Sequence, residues 1–257
     1  MARIFITGSA DGLGQMAAAS LVKQGHQVVL HARNNQRGHH AKESVPGAER
    51  VLIADLSSME ETRNLAEEAN ATGRFDAVIH NAGVYQVSGR DRSIDGIPIL
   101  FAVNSLAPYI LTVLIQKPER LIYLSSGLHS QGSAKLDGLT LENFRVRNTV
   151  SYSDTKLHDV ILCKAVARHW PEVYTNAVNP GWVPTRMGGK GAPDDLEKGY
   201  QTQAWLAVSD DKNAKVSGRY FFHQKENKYL PVADSVKVQE QFLSICEHIS
   251  GIRFPAV

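Results

Sequence analysis

Short runs of apolar and β-branched residues alternate with stretches whose apolar residues recur at helical spacing. The runs are Ile4-Phe5-Ile6, Val28-Val29-Leu30, Val51-Leu52-Ile53, Ala77-Val78-Ile79, Leu121-Ile122-Tyr123-Leu124 and Tyr174 to Val178. Between them, Leu13, Ala17, Leu21 and Val22 mark one helix face, and Met59, Leu65, Ala66 and Ala69 another. Val160, Ile161, Lys164 and Ala167 mark a third. Strand runs alternating with helical stretches predict repeated βαβ units around a parallel sheet. The near-continuous apolar character of the runs predicts strands covered on both faces. Gly218 to Phe222 reads as a seventh strand, and Val236 to Ile249 as a closing helix. Ser57 with Glu60 is expected to form a capping box, and Gly25 to end the first helix. The segment 35–49 is polar and supports a helix only weakly. The chain shows no repeat, low-complexity tract or linker, so residues 1–257 are expected to form a single α/β domain.

Composition narrows the function classes. The chain has 257 residues, 43% hydrophobic and 21% charged, which is ordinary globular usage. Its 28 Lys and Arg nearly balance 26 Asp and Glu, leaving a net charge of +2. That balance provides no broad field for nucleic acid or a membrane surface. Cys163 and Cys246 are the only cysteines, which argues against a disulfide framework and for a reducing compartment. The ten histidines include no H-E-x-x-H, so no metal site is expected. The most apolar window, Ala102 to Ile115, is interrupted by Asn104, Ser105 and Pro108 and is too short to span a bilayer. A soluble, cytoplasmic protein is expected.

The residues with chemical potential sit at the strand ends. After the first strand comes Thr7-Gly8-Ser9-Ala10-Asp11-Gly12-Leu13-Gly14, opening into a helix. Such a turn lets backbone N–H groups approach a pyrophosphate at the positive helix end, or is a glycine-rich turn without a ligand. The second strand ends Ala32-Arg33-Asn34, with no carboxylate for ribose hydroxyls; Arg33 suits a 2′-phosphate and favours NADP(H) over NAD(H). Asp55, before Leu56, suits an adenine amino group or the N-terminus of the next helix. Asn81-Ala82-Gly83 follows the fourth strand at the ligand-binding edge of such sheets, or is a plain turn. Tyr152 and Lys156, the only Tyr-x-x-x-Lys in the chain, share a helix face. A phenol beside an ammonium has its anion favoured and can pass a proton to or from an alcohol oxygen. Ser126 ends the fifth strand and is a substrate-oxygen partner or a local cap. Asn104 is either functional or an amide satisfying buried backbone. A hydrolase is disfavoured by the lack of G-x-S-x-G, and a P-loop protein by the lack of its glycine-lysine motif.

Taken in order, these motifs resemble the short-chain dehydrogenase/reductase family, particularly its retinol-dehydrogenase-like and carbonyl-reductase-like members. The resemblance runs from Thr7-Gly8-x-x-x-Gly12-x-Gly14 through Asp55, Asn81-Ala82-Gly83, Asn104, Ser126 and Tyr152-x-x-x-Lys156 to Pro180-Gly181-Trp182-Val183-Pro184-Thr185. It implies a Rossmann-type doubly wound sheet of about seven strands in the order 3-2-1-4-5-6-7. It implies an Asn104, Ser126, Tyr152 and Lys156 catalytic group. It also implies cofactor contacts from Thr7, Gly8, Ser9, Asp11, Gly12, Leu13, Gly14, Arg33, Asp55, Leu56, Asn81, Ala82 and Gly83, then Tyr152, Lys156, Pro180, Gly181, Val183 and Thr185.

The expected reaction is hydride transfer between NADP(H) and a small-molecule carbonyl or secondary alcohol. Ser126 would hold the substrate oxygen and Tyr152 exchange the proton. Lys156 would assist Tyr152 and bind ribose, and Asn104 would hold a water linking Lys156 to solvent. The segment after Gly181, through Asp195, is a candidate lid. Leu136, Leu139, Leu141 and Phe144, in the long stretch between Ser126 and Tyr152, would wall the substrate cleft or pack that insertion onto the sheet. His80 stands where many relatives carry a second Asn, the connection around Lys117-Pro118 is short, and no membrane-anchoring extension is expected before the first strand. A homodimer or homotetramer is the family expectation. A non-enzymatic NADP(H) sensor and a transient-cofactor epimerase or dehydratase are the competing readings.

Overall fold

The computed structural model describes residues 1–85, 91–146 and 150–255. Three βα units open the chain: β1 (Arg3–Ile6) and α1 (Gly12–Lys23), β2 (Gln27–Ala32) and α2 (Asn35–Ser44), β3 (Arg50–Ile53) and α3 (Met59–Ala71). β4 (Ala77–His80) follows, then α4 (Ile99–Phe101), a π-helical turn (Ala102–Leu106) and α5 (Ala107–Leu114). β5 (Arg120–Leu124) leads through a 3-10 turn (Gly127–Gln131) and α6 (Leu141–Val146) to α7 (Tyr152–His169). β6 (Tyr174–Asn179), α8 (Leu196–Val208), β7 (Arg219–Phe222), β8 (Lys225–Glu226) and α9 (Val236–Ser250) complete the chain.

The strands form one sheet in the order β3-β2-β1-β4-β5-β6-β7-β8. The first seven run parallel, in registers such as Ile4 opposite Val28 and Ile79 opposite Ile122. Alternate side chains serve opposite faces. Ile4 and Ile6 point with Val28 and Ile79 toward α1 and α8, where Ala17, Leu21 and Leu206 are buried. Phe5, Val78 and Tyr123 point the other way, onto Leu65, Ile110 and Val160 of α3, α5 and α7. The order reverses between β1 and β4, and their carboxyl ends open the crevice in which such sheets bind ligands.

Four details depart from, or refine, the sequence reading. An eighth strand adds to the expected seven: β8 pairs antiparallel with β7 through His223-Gln224, both at positive φ (49° and 61°). Two-residue hairpins need positive φ, usually supplied by Gly or Asn, so this pair carries no turn signal. The cap of α3 is Ser58, not Ser57; its Oγ accepts from Glu61 N, and the Glu61 carboxylate accepts from Asp55 N. The weakly signalled helix forms as α2, capped by Asn34. Its buried positions are Gly38 and Ala41, and a Cβ at Gly38 would lie 2.5 Å from Ile53 Cδ1, so small residues replace the usual apolar stripe. Finally, Leu136, Leu139 and Phe144 do not line the cleft. They are buried in the core, Phe144 against Phe101 at 5.1 Å, and Leu141 packs beside them. Positions 147–149 of that stretch lie outside the described residues.

Buried histidines tie stability to pH, three of them most strongly. Burial holds His31 and His158 down at about 4 and His80 at about 3. The unfolded chain protonates its histidines near pH 6.5. As pH falls from there toward 4, the unfolded state therefore binds more protons and stability drops. Asp159, raised to about 6 by burial against the pull of Lys156, acts in the opposite sense below pH 6. Three groups outweigh one, so urea denaturation at pH 5 is expected to show stability lower than at pH 7 by on the order of 3 kcal/mol. Equal midpoints at the two pH values would contradict it.

Candidate active site

The glycine turn is shaped by what it touches. Gly8 has φ +62°, and a Cβ there would lie 2.8 Å from the Ala82 backbone. A Cβ at Gly14 would lie 2.4 Å from Asn81 Nδ2. Asn81 Nδ2 donates to the carbonyls of Thr7 (2.9 Å) and Gly8 (3.0 Å), and Thr7 Oγ1 accepts from Ala82 N (3.0 Å). The turns after β1 and β4 are thus laced together. No side chain caps α1, and Gly12 and Leu13 of its first turn line the cleft, where unpaired helix N–H groups suit an anion.

This lacing separates the predicted residues into two sets. Gly8, Asp11, Gly12 and Leu13 line the cleft, as do Asn81, Ala82 and Gly83. Thr7 and Ser9 are buried; the Ser9 hydroxyl donates to Ile6 O and accepts from His31 N. Gly14 supplies close packing. Arg33, Asp55 and Leu56 line the same cleft, and Asp55 Oδ1 also accepts from Ser57 N (2.9 Å), so it orders the turn into α3 as well.

Two residues at this end escaped the sequence reading. His31 Nδ1 accepts from Gly8 N and Nε2 donates to Ala54 O, each at 2.9 Å. This neutral ring ties the ends of β1, β2 and β3 under the cleft. A histidine inside the apolar run Leu30-His31-Ala32 was its only signal. Arg37, in the first turn of α2 and four residues beyond Arg33, pairs with Asp11 at 2.6 Å. Arg33, Arg37, His40 and Arg186 surround a side cavity of about 440 Å³ adjoining the main cleft.

The other end is built by β5 and α7. A capping box at Ser151 and Asp154 starts α7, with Asp154 N donating to Ser151 Oγ and Ser151 N to Asp154 Oδ2. This box sets Tyr152 in the first turn, half-buried, with the Tyr85 ring edge-on at 4.7 Å. One turn on, the buried Lys156 ammonium lies 5.7 Å from the Tyr152 ring centroid and donates to Leu124 O (2.7 Å) and Asp159 Oδ2 (2.9 Å). Burial pulls its pKa down; Asp159 and then Tyr152 more than restore it, leaving it above the ordinary lysine value. Asn104, in the π-helical turn, has its amide paired with Val84 N and O and with Thr155 Oγ1. Ser126 is half-buried and caps the 3-10 turn, accepting from Leu128 N; its carbonyl accepts from Tyr220 OH. Neighbouring Ser125 donates to Lys156 O.

The loop from Pro180 to Asp195 closes the remaining side. Asp194 accepts from Trp182 N, and Trp182 Nε1 donates to Gly188 O. Pro180, Thr185 and Met187 line the cleft, whereas Gly181 at φ +85° and the buried Val183 shape the loop. The cleft, about 820 Å³, joins the glycine turn, Arg33, Tyr152 and Lys156 in one space. Among the described residues no cluster of three metal-ligating side chains occurs.

The short chain dehydrogenase family profile matches residues 2–128. The chain is 46% identical to an uncharacterized oxidoreductase of Emericella nidulans, over 99% of both chains. It is 44% identical to the short-chain dehydrogenase chyC of Penicillium rubens, over the whole of both. The chain belongs to the short-chain dehydrogenase family. Human retinol dehydrogenase 14 is a more distant relative, 28% identical over 97% of this chain and 86% of its own. The fold is shared with a blue fluorescent protein from a metagenomic library solved with NADPH, at TM-score 0.68 and 19% identity, covering 86% of this chain and 95% of that one.

In this short-chain dehydrogenase the cleft fits a nicotinamide dinucleotide. Its volume lies within the usual range for ligand sites. Uncapped helix N–H groups stand at the middle, arginines at one end and a Tyr–Lys pair at the other. No helix of the described residues is long and apolar enough to cross a membrane.

Proposed function

We propose that this short-chain dehydrogenase transfers hydride between NADP(H) and a carbonyl or secondary alcohol with apolar bulk. One observation carries the reading: Tyr152 and the buried Lys156 ammonium border the same cleft as the glycine turn and Arg33. The glycine turn and the first N–H groups of α1 would hold the pyrophosphate, Asp55 the adenine amino group, and Lys156 the nicotinamide ribose. The nicotinamide, when bound, supplies or takes up the hydride. Tyr152 donates the proton to the carbonyl oxygen, which Ser126 steadies through its hydroxyl. Lys156 favours the phenolate left behind. Asn104 holds the Val84 backbone and Thr155 in place behind this pair. Tyr85 and Met187, both exposed, provide apolar surface in the cleft, which supports a substrate with apolar bulk.

NADPH oxidation across ketones, aldehydes and quinones, with NADH in parallel, tests the proposal. Turnover with NADPH supports it, and turnover with NADH alone would overturn the cofactor assignment. The arginines have a separate test. Arg33→Ala and Arg37→Ala are each expected to weaken NADPH binding by about 10- to 100-fold, the worth of a charge-assisted hydrogen bond, with little effect on NADH. Fluorescence titration of both cofactors measures this, and equal losses for both would remove the 2′-phosphate role.

A further inference from the structure

We propose that Asp159 is a positioning residue of this reaction, the buried counter-ion that fixes the charge and place of Lys156 beneath Tyr152. The inference rests on the reading of Tyr152 and Lys156 as the proton-transfer pair.

Tyr152, Lys156 and Asp159 stand at i, i+4 and i+7 of α7, along one stripe of the helix. Asp159 Oδ2 lies 2.9 Å from Lys156 Nζ, with side-chain exposures of 4% and 6%. A carboxylate so deep in the protein is costly unless paired, and among the described residues Lys156 is the cation paired with it. The remaining titratable groups facing Asp159 are Tyr123 on β5 and Cys163 on α7, both raised by burial and neutral at ordinary pH. His80, stacked behind Tyr123, is also neutral. Leu124 O takes one ammonium N–H and Asp159 a second, which leaves a third for the cleft that Lys156 lines.

Removing the negative charge has two consequences. Lys156 loses its proton at lower pH, because burial is no longer offset. While still charged, it favours the Tyr152 phenolate more strongly. Carbonyl reduction needs a protonated phenol above a protonated ammonium, so either change moves the alkaline limb of its pH profile toward acid. A carboxylate that merely fills space would not move that limb.

The test uses the near-isosteric Asp159→Asn variant of the full chain. The alkaline limb of kcat/KM for carbonyl reduction is expected about one pH unit lower than in the native protein. Asp159→Glu, which keeps the charge, restores it. A second readout needs neither cofactor nor turnover: NMR of the chain carrying ¹³C at lysine Cε, with the Lys156 signal identified by its loss in Lys156→Arg. The native signal is expected to show no titration step below about pH 10, and Asp159→Asn a step about one unit lower than the native one. An unmoved limb and signal in folded Asp159→Asn would overturn the inference. So would a native Lys156 that titrates below the ordinary lysine value, a result that needs no variant. Tyr152→Phe is assayed alongside. Full turnover in it removes the reading of Tyr152 and the inference with it. A dead Tyr152→Phe beside an unmoved Asp159→Asn limb removes the inference alone.

Discussion

Tyr152→Phe is expected to lower kcat for carbonyl reduction by about 100- to 10,000-fold, the usual worth of a positioned general acid. The substitution keeps the ring, and so keeps the edge-on contact with Tyr85 and the position over Lys156. The half-buried side chain leaves no cavity behind. Stability and NADPH affinity are therefore expected to stay near native values, and a loss in kcat with intact cofactor titration isolates the proton. Stopped-flow NADPH oxidation and fluorescence binding make the comparison on one sample. Turnover within about threefold of native would remove Tyr152 from the chemistry, since a lost general acid costs far more.

Lys156→Met should show a different pattern, with activity and stability lost together. The ammonium holds Leu124 O and Asp159 inside the protein, and its removal strands a buried carboxylate. Breaking such a pair from one side costs about 3–5 kcal/mol. The double variant Lys156→Met, Asp159→Leu removes both charges and is expected to recover most of that stability without recovering turnover. Urea denaturation of the four proteins closes the cycle. The loss in Lys156→Met should shrink on acidification, because the stranded Asp159, already raised to about 6, then takes up a proton. A single variant as stable as native at pH 7 would mean that the pair contributes little to the fold.

The strand runs and the Tyr-x-x-x-Lys spacing were legible because periodicity and i, i+4 geometry are local properties. The Ser126–Tyr152 stretch was ambiguous for a physical reason: apolar side chains can wall a cleft or fill a core with equal local pattern. The burial of Leu136 and Phe144 decides for the core. The cap of α3 slipped by one residue because Ser57 and Ser58 offer the same hydroxyl. Only the path of the chain puts Ser58 Oγ within reach of Glu61 N. The β7–β8 hairpin was illegible because positive φ at His223 and Gln224 is imposed without the residues that favour it.

The sequence by itself determined the βαβ order, the parallel sheet and the strand ends at which chemistry gathers, because each follows from short-range spacing of apolar residues and turns. Only the tertiary structure decided which polar groups face the cleft and which are consumed in holding it open. Thr7, Ser9 and Asn104 spend their hydrogen bonds inside the protein, while Arg33, Tyr152 and Lys156 border the cleft. The same holds for His31, Arg37 and Asp159, whose partners Gly8, Asp11 and Lys156 give them their roles. A side chain's direction depends on how neighbouring strands and helices pack, and two of these three partners lie more than twenty residues away along the chain.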